Sequence, residues 1–302
     1  MFYQMVNIQA VLLCYILCGV FCRKKKIITV ENQQAFVDLL LGILMPCMVF
    51  DSFKSVTVQM LKNSFTMLLV SFAICFLSSV IGKVIYCRFP EERRNILRYA
   101  TLINNAGFAG LPLTKEIFGA EGALYASVFL IPIRIFMWSA GVTMLSKQKA
   151  NAKDITIRLL KNPCIIAVFL GLFRGIMQIT LPSFVDHTIT ALSACVSPFS
   201  MMIIGAIIAD VGIKGLLDKG VCLYTGMRLI ILPLITLAIC RLVGLNDIIS
   251  GTAMILTSMP AATTTALLAS KYNADVTFAS KLVFTTTVLS LVTAPVLTMF
   301  LR

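Results

Sequence analysis

The chain has 302 residues, 59% of them apolar and only 13% charged, where a soluble domain of this size carries about 25% charged residues. Its formal net charge of +13 sits in short basic clusters between apolar runs, which is a pattern of membrane topology and not of a nucleic-acid-binding face. Ten cysteines are scattered, mostly inside apolar runs (Cys14, Cys18, Cys75, Cys164, Cys240), with no CxxC or Cys/His spacing. They read as small buried hydrophobes and not as disulfides or metal ligands.

A bilayer-spanning helix needs about 20 mostly apolar residues, so the chain has room for ten with short loops. The predicted segments run near 2–22, 33–53, 63–87, 97–117, 122–145, 162–180, 187–210, 219–241, 247–270 and 276–301. The first is followed by Arg23, Lys24, Lys25 and Lys26. A cleavable signal carries its positive charge before the apolar stretch, so segment 1 is predicted to be a retained span that starts outside and ends in the cytoplasm. With ten spans, eighteen Lys and Arg residues fall on the cytoplasmic side and six outside, the asymmetry that the positive-inside rule demands. The expected placement is the cell membrane, multi-pass, with both termini outside.

Segments 4 and 9 are less apolar than the others and are interrupted. Segment 4 contains Asn104-Asn105-Ala106-Gly107-Phe108-Ala109-Gly110-Leu111-Pro112. Pro112 removes a backbone donor and disrupts the helix before it, while Gly107 and Gly110 permit non-helical backbone. Segment 9 contains Thr257-Ser258-Met259-Pro260-Ala261-Ala262-Thr263-Thr264-Thr265. Backbone groups freed by such breaks cannot face lipid and must line protein or a wet cavity. The alternative is a pair of ordinary proline kinks beside a glycine-rich packing face.

Segment 5 carries Arg134 at membrane depth, a placement that costs at least about 3 kcal/mol and calls for a partner or a cavity. It reads either as a counter-charge for a carboxylate solute or as an Arg paired with an acid or with carbonyls. Lys281 reads as snorkelling to the interface. Asp38 and Asp210 lie near span ends, and His187 opens segment 7 beside Asp186; all three are expected to be interfacial. Arg228 is the second cation inside a span.

The two halves, 1–150 and 151–302, resemble each other. Phe118-Gly119-Ala120-Glu121 and Tyr272-Asn273-Ala274-Asp275 are displaced by 154 residues, and Pro46 and Pro198 by 152. Interrupted segments 4 and 9 follow the same offset. A five-helix repeat is odd in number, so the second copy enters the membrane from the opposite side. Inverted repeats with paired broken helices mark secondary transporters and place the solute near the midplane. Val288 stands where a second Arg134 would be, so the expected site is asymmetric. No Walker sequence, His-Glu-x-x-His or Gly-x-Ser-x-Gly occurs, which argues against ATP-driven transport and against an enzyme.

The ten-segment plan, the Asn-x-x-Gly-x-x-Gly-x-Pro-like stretch of segment 4 and the Met-Pro-Ala-x-Thr stretch of segment 9 resemble the auxin efflux carrier family. That family includes bacterial malate and malonate permease-like proteins and plant PIN-type carriers. The resemblance implies a scaffold of segments 1, 2, 6 and 7 (1–55 plus 160–212) and a transport domain of segments 3–5 and 8–10 (60–147 plus 217–302). It implies a crossing of segments 4 and 9 at their prolines, elevator-like movement, a homodimer joined through the scaffold, and organic-anion solutes. Asn104 or Asn105 would hydrogen-bond a carboxylate, with Gly107, Gly110, Pro112, Pro260, Thr263, Thr264, Thr265 and Arg134 completing the site. Segment 9 has Thr and Ser where many relatives have Asn, which departs from a symmetrical clamp. No cofactor is expected, and the coupling ion is a proton or sodium. The other readings are a cation-coupled carrier of the bile-acid or sodium–proton type, which should place acids at the crossing where this chain has none, and a membrane-bound sensor or lipid-modifying enzyme.

Overall fold

A computed structural model describes residues 2–54, 57–146, 152–209, 218–272 and 274–301. Among them the fold is helical, and the sole β-type pairing is one isolated bridge between Asn104 and Ala261. Asp210 and Asn273 lie outside the described residues.

The helices in chain order are α1 (Phe2–Lys24), α2 (Gln33–Asp51), α3 (Val58–Ile85), α4 (Glu91–Leu102) and α5 (Ala106–Leu145). The second half holds α6 (Ala152–Leu160), α7 (Pro163–Met177), α8 (Ser183–Ala194), α9 (Val196–Ala209) and α10 (Lys219–Leu242). It closes with α11 (Asp247–Thr257), α12 (Thr264–Lys271) and α13 (Val276–Thr298). Among the described residues six stretches are long and apolar enough to cross a bilayer: α2, α3, α5, α8 with α9, α10, and α13 with its final turn. Helices α7 and α11, in predicted segments 6 and 9, have 15 and 11 residues, short of the length that crosses alone.

Local chemistry sets the boundaries. Asn162 caps α7 by accepting from the Cys164 and Ile165 amides, Asn246 caps α11 through Ile249, and Asp275 caps α13 through Phe278. Gly119 takes φ +66° and bends α5 between its first three turns and the rest, a conformation that excludes most side chains. This is the boundary expected between segments 4 and 5.

Burial inverts the soluble pattern. Along α3, Phe65, Leu69, Phe72, Phe76, Val80 and Val84 face outward, while Ser71, Ser78 and Gly82 face the protein. Lipid tails are as apolar as these side chains, so the outward face carries no penalty and small or polar groups turn inward. Helix α1 lies against α9 at backbone distance. A Cβ on Gly19 would overlap the Met202 carbonyl, and one on Gly205 would overlap the Ile16 carbonyl. Among the largest buried side chains are Tyr86, Tyr99, Tyr125 and Tyr224, and three of these four surround the inner end of α4.

Candidate functional site

Two helices stop inside the protein and meet. Helix α4 ends at Leu102, and Ile103 is extended (φ −114°, ψ 117°). Helix α11 ends at Thr257, and Pro260, which has no N–H, holds the following chain out of helix. The two unwound stretches run antiparallel. The Asn105 amide donates to the Pro260 carbonyl at 2.8 Å, and Asn104 bridges Ala261. The chain then re-enters helix at Ala106, through a π-helical turn over Ala106–Gly110, and at Thr264. Pro112 lies just past that π-helical turn, and its missing N–H removes one donor from the join between the π-helical and α-helical parts of α5.

Each interrupted helix leaves carbonyls without a partner in the next turn, and the neighbours supply them. The Tyr224 hydroxyl donates to Ala100 O at 2.9 Å. The Asn104 side-chain amide donates to Leu256 O. Arg228 donates from Nε to Met259 O at 3.1 Å and from Nη1 to Thr101 O at 2.9 Å, so one guanidinium holds both broken ends. On the second stretch, the Ala261 amide donates to Thr286 Oγ1 at 3.1 Å, and that hydroxyl in turn donates to Leu282 O at 2.8 Å. Tyr99 Oη and Thr264 Oγ1 lie 3.1 Å apart and tie the first half to the second.

The predicted site residues therefore divide. Asn104 is buried with its NH₂ committed to Leu256, which leaves its Oδ1 without a partner among the described residues. Reversing the amide would set oxygen against oxygen. Asn105 is also buried, yet its side chain makes no hydrogen bond among the described residues, since only its backbone is used. Gly110 is a packing position: a Cβ there would come within 2.8 Å of Leu256 and 2.9 Å of Met259. Gly107 faces the other way, and the first atoms a Cβ there would meet are Arg134 Nη2 and Met45 Cε, both at 4.0 Å. Pro260 supplies the crossing carbonyl, the Thr264 hydroxyl is spent on Tyr99, and Thr265 is fully buried with an unpartnered hydroxyl. Thr263 is half-buried.

Arg134 sits two residues past Pro132 in α5. Among the described residues no acid or carbonyl pairs with it. It lines a small cavity with Met45, Val49, Ser127, Leu130 and Cys164, about 10 Å³ in volume, room for roughly one water. The crossing thus presents an unpaired cation beside Gly107, enclosed by apolar walls, and any larger guest requires the lining helices to part.

The residues expected near span ends have these surroundings. Asp38 is exposed and accepts from Gln34. Asp186 binds Lys54 and, at 2.7 Å, Arg174, whose guanidinium stacks over Phe50. His187 is exposed beside them. Lys281 is half-buried near the start of α13. Two residues that join the broken ends were not assigned from sequence, Arg228 and Tyr99. Arg228 carried a usable signal, being a charge inside an apolar segment five residues before Pro233; Tyr99 carried none.

A family model described as membrane transport protein matches residues 5–298. The chain is 24% identical over 296 residues to an uncharacterized transporter of Methanocaldococcus jannaschii, covering 95% of each chain. It is likewise 24% identical over 292 residues to an uncharacterized transporter of Methanothermobacter thermautotrophicus, covering 94% of each.

Proposed function

The chain belongs to the membrane transport protein family that contains the auxin efflux carriers, and from that premise we propose that it is a secondary transporter of organic anions. One observation carries the solute class: Arg134 is an unpaired guanidinium at membrane depth, facing Gly107 of the crossing. A half-buried cation at that depth without a counter-charge is costly, and a carboxylate entering beside it reduces that cost. Asn105, with its amide unspent, is the asparagine suited to donate to the same carboxylate. Asn104 is held by Leu256 and serves the crossing itself. The half-helix that begins at Ala106 adds the partial positive charge of its N-terminus.

The proposal includes ten membrane passages arranged as two inverted five-helix repeats, 1–150 and 151–302, in the cell membrane with both termini outside. It divides the molecule into a scaffold (1–55 plus 160–212) and a transport domain (60–147 plus 217–302) that moves like an elevator, in a homodimer. The close glycine contact of α1 with α9 supports the scaffold, since it joins an element of each half. The carbonyl clamp of Arg228 and the Tyr99–Thr264 contact support the transport domain in the same way. Across the proposed boundary the described side-chain bonds include Lys115 to Ser193 at 2.6 Å and Ser197 to Glu116 at 2.9 Å. Such a boundary can slide at small cost in hydrogen bonds.

The test is uptake of labelled malate, malonate and indole acetate by proteoliposomes. Wild-type protein should take up at least one of the three, and Arg134→Ala should abolish that uptake while the variant purifies and melts like wild type. Uptake of none, or undiminished uptake by the variant, refutes the reading.

A further inference from the structure

A helix that stops inside a bilayer exposes carbonyl oxygens and the negative end of its dipole. In transporters built from broken helices these ends serve as ligands for a coupling cation. In this protein the ends are already taken. Arg228 is 3% exposed and donates at 3.1 Å to Met259 O, beyond the end of α11, and at 2.9 Å to Thr101 O, in the last turn of α4. The ionisable side chains around it are Cys75, Tyr86 and Tyr224, none of them a carboxylate. No carboxylate pairs with it among the described residues. A π-helical turn over Met227–Ile231 carries it, and π-turns occur where a helix must aim a functional side chain.

A fully desolvated guanidinium survives only if its surroundings offer negative potential, and here that potential comes from the two half-helix ends. We propose that Arg228 is a tethered cation that takes the place of a coupling ion at the crossing, so that no sodium ion binds between the ends of α4 and α11. The guanidinium neutralises both ends permanently, and the crossing stays assembled whether or not a gradient is present. Arg228 acts through the backbone it holds and is a positioning residue. The inference concerns the ion and not the solute, and its test needs no substrate, so its failure is distinct from failure of the anion reading.

Purified full-length protein in detergent is melted in sodium chloride, in choline chloride of equal ionic strength, and in choline chloride with a few millimolar guanidinium, and retention of radioactive sodium is measured alongside. Wild type should melt at one temperature in all three and retain no sodium. Arg228→Ala should melt several degrees lower in choline, recover in guanidinium and in sodium, and retain sodium. Arg228→Lys should keep most of the wild-type melting temperature. Sodium retention by wild type, or an Arg228→Ala variant equally destabilised in all three salts, overturns the proposal; the second result would make Arg228 a packing residue only. Arg228→Gln, which preserves volume, carries the same comparison if the alanine variant does not fold, and the wild-type sodium measurement decides by itself if neither does.

Discussion

The unwound stretches between Leu102 and Ala106 and between Thr257 and Thr264 sit side by side, but they and the turns that follow differ in what they do with their polar groups. The second spends most of them inward: the Pro260 carbonyl binds Asn105, the Ala261 amide binds Thr286 and the Thr264 hydroxyl meets Tyr99, with the Thr265 hydroxyl left over among the described residues. The first leaves groups unspent, namely the Asn105 side chain and the face of Gly107 turned to Arg134. On the proposed function, one break is a support and the other offers the chemistry. Two adjoining breaks need not share a task equally, because a single guanidinium, Arg228, already binds a carbonyl at each helix end.

Substitutions can break this contrast, and the largest effect belongs to Gly110. A valine there must displace Leu256 and Met259, an overpacking cost of about 1–3 kcal/mol. It should lower the melting temperature in detergent, whereas Gly107→Ala, whose added Cβ meets only ordinary contacts at 4.0 Å, should not. Equal melting of the two variants would refute the assignment of Gly110 to packing. Next, Asn105→Ala should weaken binding of a transported carboxylate about tenfold, the worth of roughly 1.4 kcal/mol, as read by isothermal titration, with stability unchanged. Thr264→Val removes the contact with Tyr99. Interhelical hydrogen bonds of this kind average about 0.6 kcal/mol in membrane proteins, so a small drop in denaturation midpoint is expected, with affinity intact. Smallest of all, Thr265→Val replaces a buried hydroxyl that has no partner among the described residues. The change is near-isosteric and relieves a desolvated polar group, so stability should hold or rise slightly, and a clear loss would show that this hydroxyl does bind something.

Much of this was legible in the residues. Pro260 marked the second break directly, while the Gly107, Gly110 and Pro112 run marked segment 4 as interrupted but misplaced the interruption: the unwound stretch lies ahead of them, at Ile103–Asn105, and the chain is helical again from Ala106. Arg134 announced itself as a charge in an apolar run. Equivalence between Asn104 and Asn105 could not be resolved in the same way. They are neighbours of one residue type, and only the position of the Leu256 carbonyl separates a committed amide from an unspent one. Arg228 was visible as a second intramembrane cation, but nothing near it in sequence named its partners. Thr101 and Met259 lie 127 and 31 residues away.

Composition and periodicity alone determined that the chain is helical, lipid-embedded and interrupted twice, because hydrophobic length and backbone permissiveness are local properties of the chain. Which amides, hydroxyls and cations are consumed in closing the crossing, and which remain for a solute, was decided only when the segments packed. A hydrogen bond inside a bilayer requires two groups within about 3 Å, and no local rule places residues so far apart in sequence at that distance.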